Sequence, residues 1–291
     1  MKPPKFDYYD PSSLEEALAL LDTHQGDGKV LAGGQSLMPL LNMRLARPSV
    51  VIDINRIEEL NYIRASDGGI AIGAIARQRA LQTDKLISER LPILQEGAYY
   101  IAHPQIRSRG TICGSIAHAD PAAELPALAL ALDAEMALTS TKGTRTVRAE
   151  TFFQSFFTTA LEANEILTEL RFPAPPRDSA WSVIEISRRH GDFAIAGIVA
   201  GLGLEPNRQK IAHACLVYFG VGPTPIRVKA AEDVLVGQTA AEAAFEAAAQ
   251  CAKQGIDPSN DIHATEEYRR AVAATLTKRA LRTALQKLEK N

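Results

Sequence analysis

Two glycine-containing segments carry the residue types with which a chain can hold a phosphate group. The first glycine segment, Leu31–Ser36 (LAGGQS), follows a short strand pattern and precedes a helical pattern at Leu37–Arg44. Backbone N–H groups around adjacent glycines can turn inward and bind an anion such as a diphosphate, and the missing Cβ lets a phosphate approach. Neither a Walker motif nor G-x-G-x-x-G is present, so the common nucleotide-binding motifs lose support. A plain tight turn remains the alternative.

The second glycine segment, Arg109–Asp120 (RGTICGSIAHAD), combines small residues, hydroxyls, a histidine and an acid. It offers backbone donors and hydroxyl groups to a polar ligand, and its alternative is an irregular surface loop. The presence of two such segments favours the phosphate-binding interpretation of each, because the two phosphates of a dinucleotide carry enough negative charge to interact with both segments. A third segment, the polar turn Arg188–Phe193 (RRHGDF), could place charge near a cofactor and Phe193 against a ring. A solvated hairpin turn is its alternative.

Other kinds of chemistry find little support in the residue types and their spacing. His118 has no partner that the sequence identifies, so a hydrogen-bonded loop histidine is favoured over a general base. The histidines form no HxxxH pair, and Cys113, Cys215 and Cys251 form no CxxC pair, so we expect no metal or iron–sulfur site in this chain and no disulfide framework. Cys113 is interpreted as a small loop residue rather than a nucleophile.

Composition narrows the possibilities further. The 291 residues include 32 Lys and Arg against 34 Asp and Glu, a net charge of −2, which argues against a nucleic-acid surface. The sequence contains no run of 18 apolar residues, so it predicts no membrane span. The start of the chain lacks the apolar stretch of a signal peptide. We therefore expect a cytoplasmic protein.

The elements that must position these segments are indicated by hydrophobic patterns. Ser13 and Glu16 form a capping box for a helix whose apolar face is Leu14, Ala17, Leu18 and Leu21. Strand patterns at 29–32 and 49–54 complete a small α/β lobe. A strand at 69–74, a helical stretch at 76–100, a loop-like region at 103–120, a hairpin at 134–148 and a strand at 165–172 follow.

The proline cluster Pro173–Pro176 is the best domain boundary in the sequence. Strand patterns at 180–188, 193–204 and 210–221 come after it, and helical patterns at 239–254, with Gly255 as C-cap, and 266–288 end the chain. These patterns divide the chain into residues 1–56, residues 57–175 and a C-terminal α+β domain, residues 176–291.

Three motifs together resemble one family: Ala32–Ser36 (AGGQS), Thr111–Pro126 (TICGSIAHADPAAELP) and Arg188–Ala194 (RRHGDFA). They are similar to the FAD-binding medium subunit of molybdenum hydroxylases, which includes the carbon monoxide dehydrogenase medium subunit and the flavin domain of xanthine dehydrogenase. Their order and spacing agree across essentially the whole chain. One departure is Cys113, where the family usually has glycine; a thiol there is expected to narrow the segment slightly.

The resemblance implies an α+β fold: an FAD-binding type-2 (vanillyl-alcohol-oxidase/PCMH-like) domain of two α/β lobes, followed by a C-terminal α+β domain. It implies that FAD lies between the lobes with its diphosphate on both glycine segments. It assigns no catalytic acid or base and no metal ligand to this chain. The cofactor-binding residues that it implies are Lys29, Val30, Leu31, Ala32, Gly33, Gly34, Gln35, Ser36 and Leu37 at the ADP and diphosphate, Ile101 and Ala102 beside the cofactor, Thr111, Gly114, Ser115 and His118 at phosphates and ribityl, Glu124 at a ribityl hydroxyl, Ile166 or Leu167 on the flavin, and Asp192 and Phe193 at the isoalloxazine.

The resemblance also implies partner subunits. A small subunit would carry two [2Fe–2S] clusters and a large one molybdopterin, in a dimer of heterotrimers. Electrons would reach FAD from the clusters and leave to NAD⁺, a quinone, oxygen or another acceptor. A stand-alone FAD-dependent oxidoreductase of the same fold is the alternative, but no convincing proton donor for it is found. A scaffold that has lost its flavin is disfavoured by the intact glycines.

Overall fold

The structure is a computed structural model that describes residues 2–24 and 26–290. Its first sheet has three parallel strands in the order β1-β3-β2. The elements of this lobe are β1 (Asp7–Tyr9), α1 (Leu14–Thr23), β2 (Gly28–Leu31), α2 (Leu37–Asn42) and β3 (Val50–Asp53). The predicted N-cap is confirmed, because the Ser13 side chain accepts a hydrogen bond of 3.2 Å from the N–H of Glu16. The Glu16 carboxylate accepts from the N–H of Ser12 instead of closing the box on Ser13.

The second sheet is antiparallel, in the order β4-β5-β10-β6-β7, and helices pack on it. Its strands are β4 (Ile63–Ser66), β5 (Gly69–Gly73), β6 (Glu135–Ser140), β7 (Gly143–Arg148) and β10 (Ile166–Phe172). The helices are α3 (Ala80–Thr83), α4 (Lys85–Arg90), α5 (Pro92–Tyr100), α6 (Pro104–Arg109), α7 (Ile112–His118), α8 (Glu124–Ala131) and α9 (Ala149–Phe152), and β8 (Phe153–Ser155) pairs with β9 (Thr158–Thr159). The predicted hairpin around Gly143 is confirmed by the pairing of β6 with β7.

The third sheet has four strands in the order β11-β12-β13-β14 and is covered on both faces. Its elements are β11 (Ser179–Ile186), β12 (Ala196–Leu204), β13 (Ile211–Phe219), β14 (Ile226–Arg227), α10 (Lys229–Leu235), α11 (Glu242–Gly255) and α12 (Glu266–Lys290). Trp181 and Val183 on one face belong to the core that the second sheet and its helices share. Ala180, Ile198 and Leu216 on the other face pack with α10–α12. This sheet therefore joins the C-terminal helices to the rest of the molecule.

Three details differ from the patterns in the sequence. The stretch at 76–100 forms three short helices rather than one, because Asp84 caps a new helix and Pro92 begins the next. The region at 103–120 was expected to be loop-like, and that expectation is wrong, since α6 and α7 occupy most of it. Gly255 is the last residue of α11 rather than its cap.

Within residues 2–24 and 26–290, no helix is both long enough and apolar enough to cross a membrane.

Candidate functional site

The two glycine segments, distant in the sequence, meet in the structure. A Cβ built on Gly33 would lie 2.6 Å from the carbonyl oxygen of Arg109, 2.6 Å from Cα of Gly110 and 2.7 Å from the backbone nitrogen of Thr111. Only a residue without a Cβ lets the two backbones come this close. Gly34 has a φ of +71°, in the left-handed region that glycine adopts without strain. Gly33 is thus needed for packing between the segments, and Gly34 for the turn itself.

A cleft of about 310 Å³ opens beside this junction. It lies where the parallel strands β2 and β3 end, the edge at which open α/β sheets bind ligands. None of the backbone N–H groups of Gly33–Ser36 donates a hydrogen bond within the described part of the chain, so they are free to bind an anion. The residues that line the cleft are Leu31, Ala32, Gly33, Gly34, Gln35, Met38, Pro39, Asp53, Asn55, Ile106 and Arg109.

A polar link that the sequence did not reveal connects the two segments. The Asn55 side chain donates to the carbonyl oxygen of Ala32 at 2.7 Å. Arg77 donates to Oδ1 of Asn55 at 2.6 Å and to the carbonyl oxygen of Arg109 at 2.6 Å. Burial, together with the nearby charge of Arg109, lowers the pKa of Arg77. The available signal was the position of Asp53 at the end of a buried parallel strand and of Asn55 just after it.

The second glycine segment is helical because its residues form two faces. Ile112, Cys113 and Ile116 are buried in the core, whereas Gly114, Ser115 and His118 are half-buried on the other side of α7. Thr111 is the N-cap, and its hydroxyl accepts a hydrogen bond of 3.1 Å from the N–H of Gly114. A Cβ on Gly114 would lie 2.4 Å from that hydroxyl oxygen, so the glycine keeps the cap in place.

Cys113 does not narrow the segment as expected. Its Sγ points into the core, 3.7 Å from the carbonyl oxygens of Ile72 and Gly73. Burial raises the pKa of this thiol to about 12, so it stays protonated at neutral pH. The side chain is a core residue and takes no part in the cleft.

Burial disfavours the charged forms of two acids, Glu124 and Glu185, and of His118 at the end of α7. Burial raises the pKa of Glu124, at the start of α8, to about 7. Burial, with the charge of Glu124 added, raises the pKa of Glu185 to about 8, and Oε2 of Glu185 has no hydrogen-bond partner among the described residues. Burial also lowers the pKa of His118, against the effect of Asp120. Glu185 belongs to no sequence motif and was not predicted as a site residue.

The polar turn rests on the segment that follows α5. A Cβ on Gly191 would lie 2.9 Å from the carbonyl oxygen of Ala102. Ala102 has a φ of +39°, and the buried guanidinium of Arg107 holds it by donating to the carbonyl oxygens of Ile101 at 2.5 Å and Ala102 at 3.0 Å. Phe193 is 64% exposed, so its ring is available to a ligand.

The remaining predicted site residues are distributed around the cleft or lie away from it. Lys29 is exposed on β2, and Val30 packs on the first lobe's core. Ser36 precedes α2, and Leu37 begins it. Ile166 and Leu167 are both buried on β10, and neither lines the cleft. Ile166 belongs to the core of the first lobe, and Leu167 belongs to the core that the second and third sheets share. Asp192 is exposed on the polar turn. The structure thus brings Leu31–Gln35 and the second glycine segment together, with the polar turn beside Ala102.

The donors at this junction suit a dinucleotide better than a metal. They are backbone N–H groups, hydroxyls and amides, which bind phosphate and sugar oxygens. Among the described residues, no group of three or more His, Cys, Asp or Glu side chains could hold a metal ion.

Comparison with protein families finds two models that match consecutive parts of the chain. A model described as "FAD binding domain in molybdopterin dehydrogenase" matches residues 4–175. A second, described as "CO dehydrogenase flavoprotein C-terminal domain", matches residues 181–284.

Individual relatives match over nearly their whole length. The chain is 46% identical to the 6-hydroxypseudooxynicotine dehydrogenase complex subunit alpha of Paenarthrobacter nicotinovorans, over 98% of this chain and 96% of that protein. It is 39% identical to the carbon monoxide dehydrogenase medium chain of Hydrogenophaga pseudoflava, over 98% of both. A solved structure of carbon monoxide dehydrogenase from that organism, which lacks the Mo-pyranopterin moiety, matches with a TM-score of 0.95 and 40% identity, over 98% of this chain and 99% of that one. The predicted fold class is confirmed by this match.

Proposed function

The chain belongs to the family of FAD-binding medium subunits of molybdenum hydroxylases, and from this membership we propose that it passes electrons from [2Fe–2S] clusters on a partner subunit to an external acceptor. It is the flavoprotein subunit of a molybdopterin-dependent dehydrogenase, and its cofactor is FAD. When bound, FAD supplies the redox chemistry, while the protein binds and orients it.

The observation that carries this proposal is the junction of the two glycine segments. Gly33, Gly34 and Gln35 line a cleft together with Arg109, and their N–H groups donate to no acceptor among the described residues. Asn55 and Arg77 link the two glycine segments by hydrogen bonds. Such a site has the backbone donors and an arginine that a diphosphate can use, while the Asp53 carboxylate, which also lines the cleft, accepts hydrogen bonds from Tyr8 and Asn55. The residues present therefore fit the cofactor that the family implies.

The other predicted residues receive proposed roles around this anchor. Thr111, Gly114, Ser115 and His118 would contact phosphate and ribityl oxygens, and Glu124 would accept a bond from a ribityl hydroxyl. A carboxyl that burial keeps partly protonated can accept such a bond without a full charge. Ile101, Ala102 and either Ile166 or Leu167 would line the apolar side of the cofactor. Asp192 and Phe193 would flank the isoalloxazine, which the exposure of Phe193 allows.

The proposed assembly contains a small iron–sulfur subunit and a large molybdopterin subunit, in a dimer of heterotrimers. The names of the relatives support the presence of partner subunits, because one is a subunit of a dehydrogenase complex and another is the medium chain of carbon monoxide dehydrogenase. The proposed division of the chain at 56/57 and 175/176 is supported by the four sheets of the described residues, because each sheet lies within one range. A cytoplasmic location is also proposed, in agreement with Cys113, Cys215 and Cys251 being free thiols.

One purification tests the proposal. The native complex is isolated through a tag on this chain, and iron, molybdenum and FAD are measured in the same sample. We expect all three in constant ratio, together with two further subunits. A yellow single-chain enzyme without iron or molybdenum would indicate a stand-alone oxidoreductase instead, and a colourless chain would indicate a scaffold.

A further inference from the structure

A buried arginine of the C-terminal helix reaches the polar turn. Arg269, on the first turn of α12, is 6% exposed. One of its terminal nitrogens donates to the carbonyl oxygen of Ile195, two residues after the polar turn, and to that of Gly220 at 2.8 Å. The other pairs with Asp261 at 2.6 Å. A single guanidinium therefore holds the backbone at one end of two paired strands, where β12 begins and β13 ends.

The same contacts extend to the second glycine segment. The N–H of Gly220 donates to the carbonyl oxygen of Pro121, the residue that follows this segment, at 2.8 Å. Gly220 has a φ of +72°, and a Cβ there would lie 2.8 Å from the carbonyl oxygen of Ala194. Arg269 is thus connected through Gly220 to the polar turn on one side and to the helix α7–α8 junction on the other.

Stability alone explains this arginine poorly. Its counterion, Asp261, has a half-exposed side chain, and Nε of Arg269 is buried without a hydrogen-bond partner among the described residues. Burying an incompletely paired guanidinium is costly, and an apolar side chain of similar volume is often as stable. What an apolar side chain cannot do is donate to two carbonyl oxygens and fix their separation.

We propose that Arg269 is a positioning residue for the cofactor: it sets the place of the polar turn, and hence of Phe193, relative to the isoalloxazine ring. This inference rests on the proposed function, which puts Phe193 at that ring. Among the described residues, the hydrogen-bond partners of the Arg269 side chain are the carbonyl oxygens of Ile195 and Gly220 and the carboxylate of Asp261, so the proposed action on FAD goes through the turn.

The neighbouring residue on α12 offers a matched control. Arg270 also donates to two carbonyl oxygens, those of Lys253 at 2.9 Å and Ile256 at 2.6 Å, and it also pairs with an acid, Glu266. Its contacts tie α12 to the end of α11 and do not reach the polar turn. Arg269→Ala and Arg270→Ala therefore remove similar bonds from the same helix, with different consequences for the turn.

The test compares wild type, Arg269→Ala, Arg269→Lys and Arg270→Ala as full chains. Hydrogen exchange is read at the N–H groups of Ile195 and Gly220, both of which are hydrogen-bonded. We expect exchange at both to rise about tenfold or more in Arg269→Ala, because two charge-assisted bonds are lost, and to change little in Arg270→Ala. Lysine should restore part of the protection, since it can still donate to a carbonyl oxygen.

A second measurement separates positioning from simple stabilisation. The variants are loaded with FAD, and the visible circular dichroism and the midpoint potential of the cofactor are recorded. Arg269→Ala should retain FAD but change both properties, with partial recovery in Arg269→Lys. Exchange rates in Arg269→Ala equal to those in Arg270→Ala, or a loosened turn with an unchanged spectrum and potential, would overturn the proposal. If Arg269→Ala does not fold, Gly220→Ala disturbs the same turn, and the same two readouts decide. A wild-type chain that binds no FAD would instead refute the proposed function.

Discussion

Replacing Gly33 with alanine tests the contact between the two glycine segments. The new Cβ would lie 2.6 Å from Cα of Gly110, whereas non-bonded carbons sit about 3.5–4.0 Å apart, so one backbone must move by about 1 Å. A shift of that size in a phosphate site misaligns its N–H groups, and we expect the dissociation constant for FAD to rise about 100-fold, which is about 3 kcal/mol. Titration of the FAD-free chain, followed by flavin fluorescence, measures it.

Gly28→Ala is the control within the same lobe. Its Cβ would meet only side-chain atoms, none closer than 3.5 Å, so FAD affinity should stay near that of wild type. Thermal unfolding of the FAD-free variants shows whether either substitution acts on folding alone. Wild-type FAD affinity in Gly33→Ala would refute the reasoning, because it would mean that the close approach of the segments is not needed for binding.

Four further results are expected. Arg77→Met leaves the carbonyl oxygen of Arg109 and the Asn55 side chain without their donor, so urea unfolding should show a loss of about 1–3 kcal/mol, with weaker FAD binding; unchanged affinity would contradict the role of this link. Phe193→Ala removes an exposed ring and should alter the reoxidation kinetics of FAD while changing stability by less than about 0.5 kcal/mol; identical kinetics would argue against contact with the cofactor. Because burial raises the pKa of Glu185 from 4.5 to about 8, the folded state holds this proton more tightly than the unfolded state, and the resulting stability is lost as pH rises through that range. Glu185→Gln should therefore flatten the decline of unfolding free energy between about pH 5 and pH 9, and parallel curves for the two proteins would show that the carboxyl is not responsible. Acid precipitation should release all yellow colour into the supernatant, whereas colour in the pellet would mean covalent attachment.

Elements with local signals could be predicted from the sequence. The cap at Ser13, the hairpin at Gly143 and the strand at 165–172 follow from residues close together in the chain, and the structure contains all three with small shifts at their ends. Long regular patterns, such as that of α12, were equally plain.

Elements that depend on distant partners could not be predicted in this way. The apolar face of α7, formed by Ile112, Cys113 and Ile116, is short and interrupted by glycine, and it becomes a helix face only where the core covers it. The hydrogen bond between Arg77 and Asn55 joins two residues that no sequence motif connects, so the sequence does not predict it. The site residues came from the family resemblance rather than from spacing, and the buried Glu185 and Arg269 belonged to no motif.

The most direct test of the central claim is a crystal structure of the chain with FAD bound. The distances to be measured join the diphosphate oxygens to the backbone nitrogens of Gly33–Ser36. We predict that at least two lie within about 3.2 Å, with Arg109–Ser115 forming the opposite wall. A diphosphate bound outside the cleft, with these N–H groups turned away from it, would contradict the account.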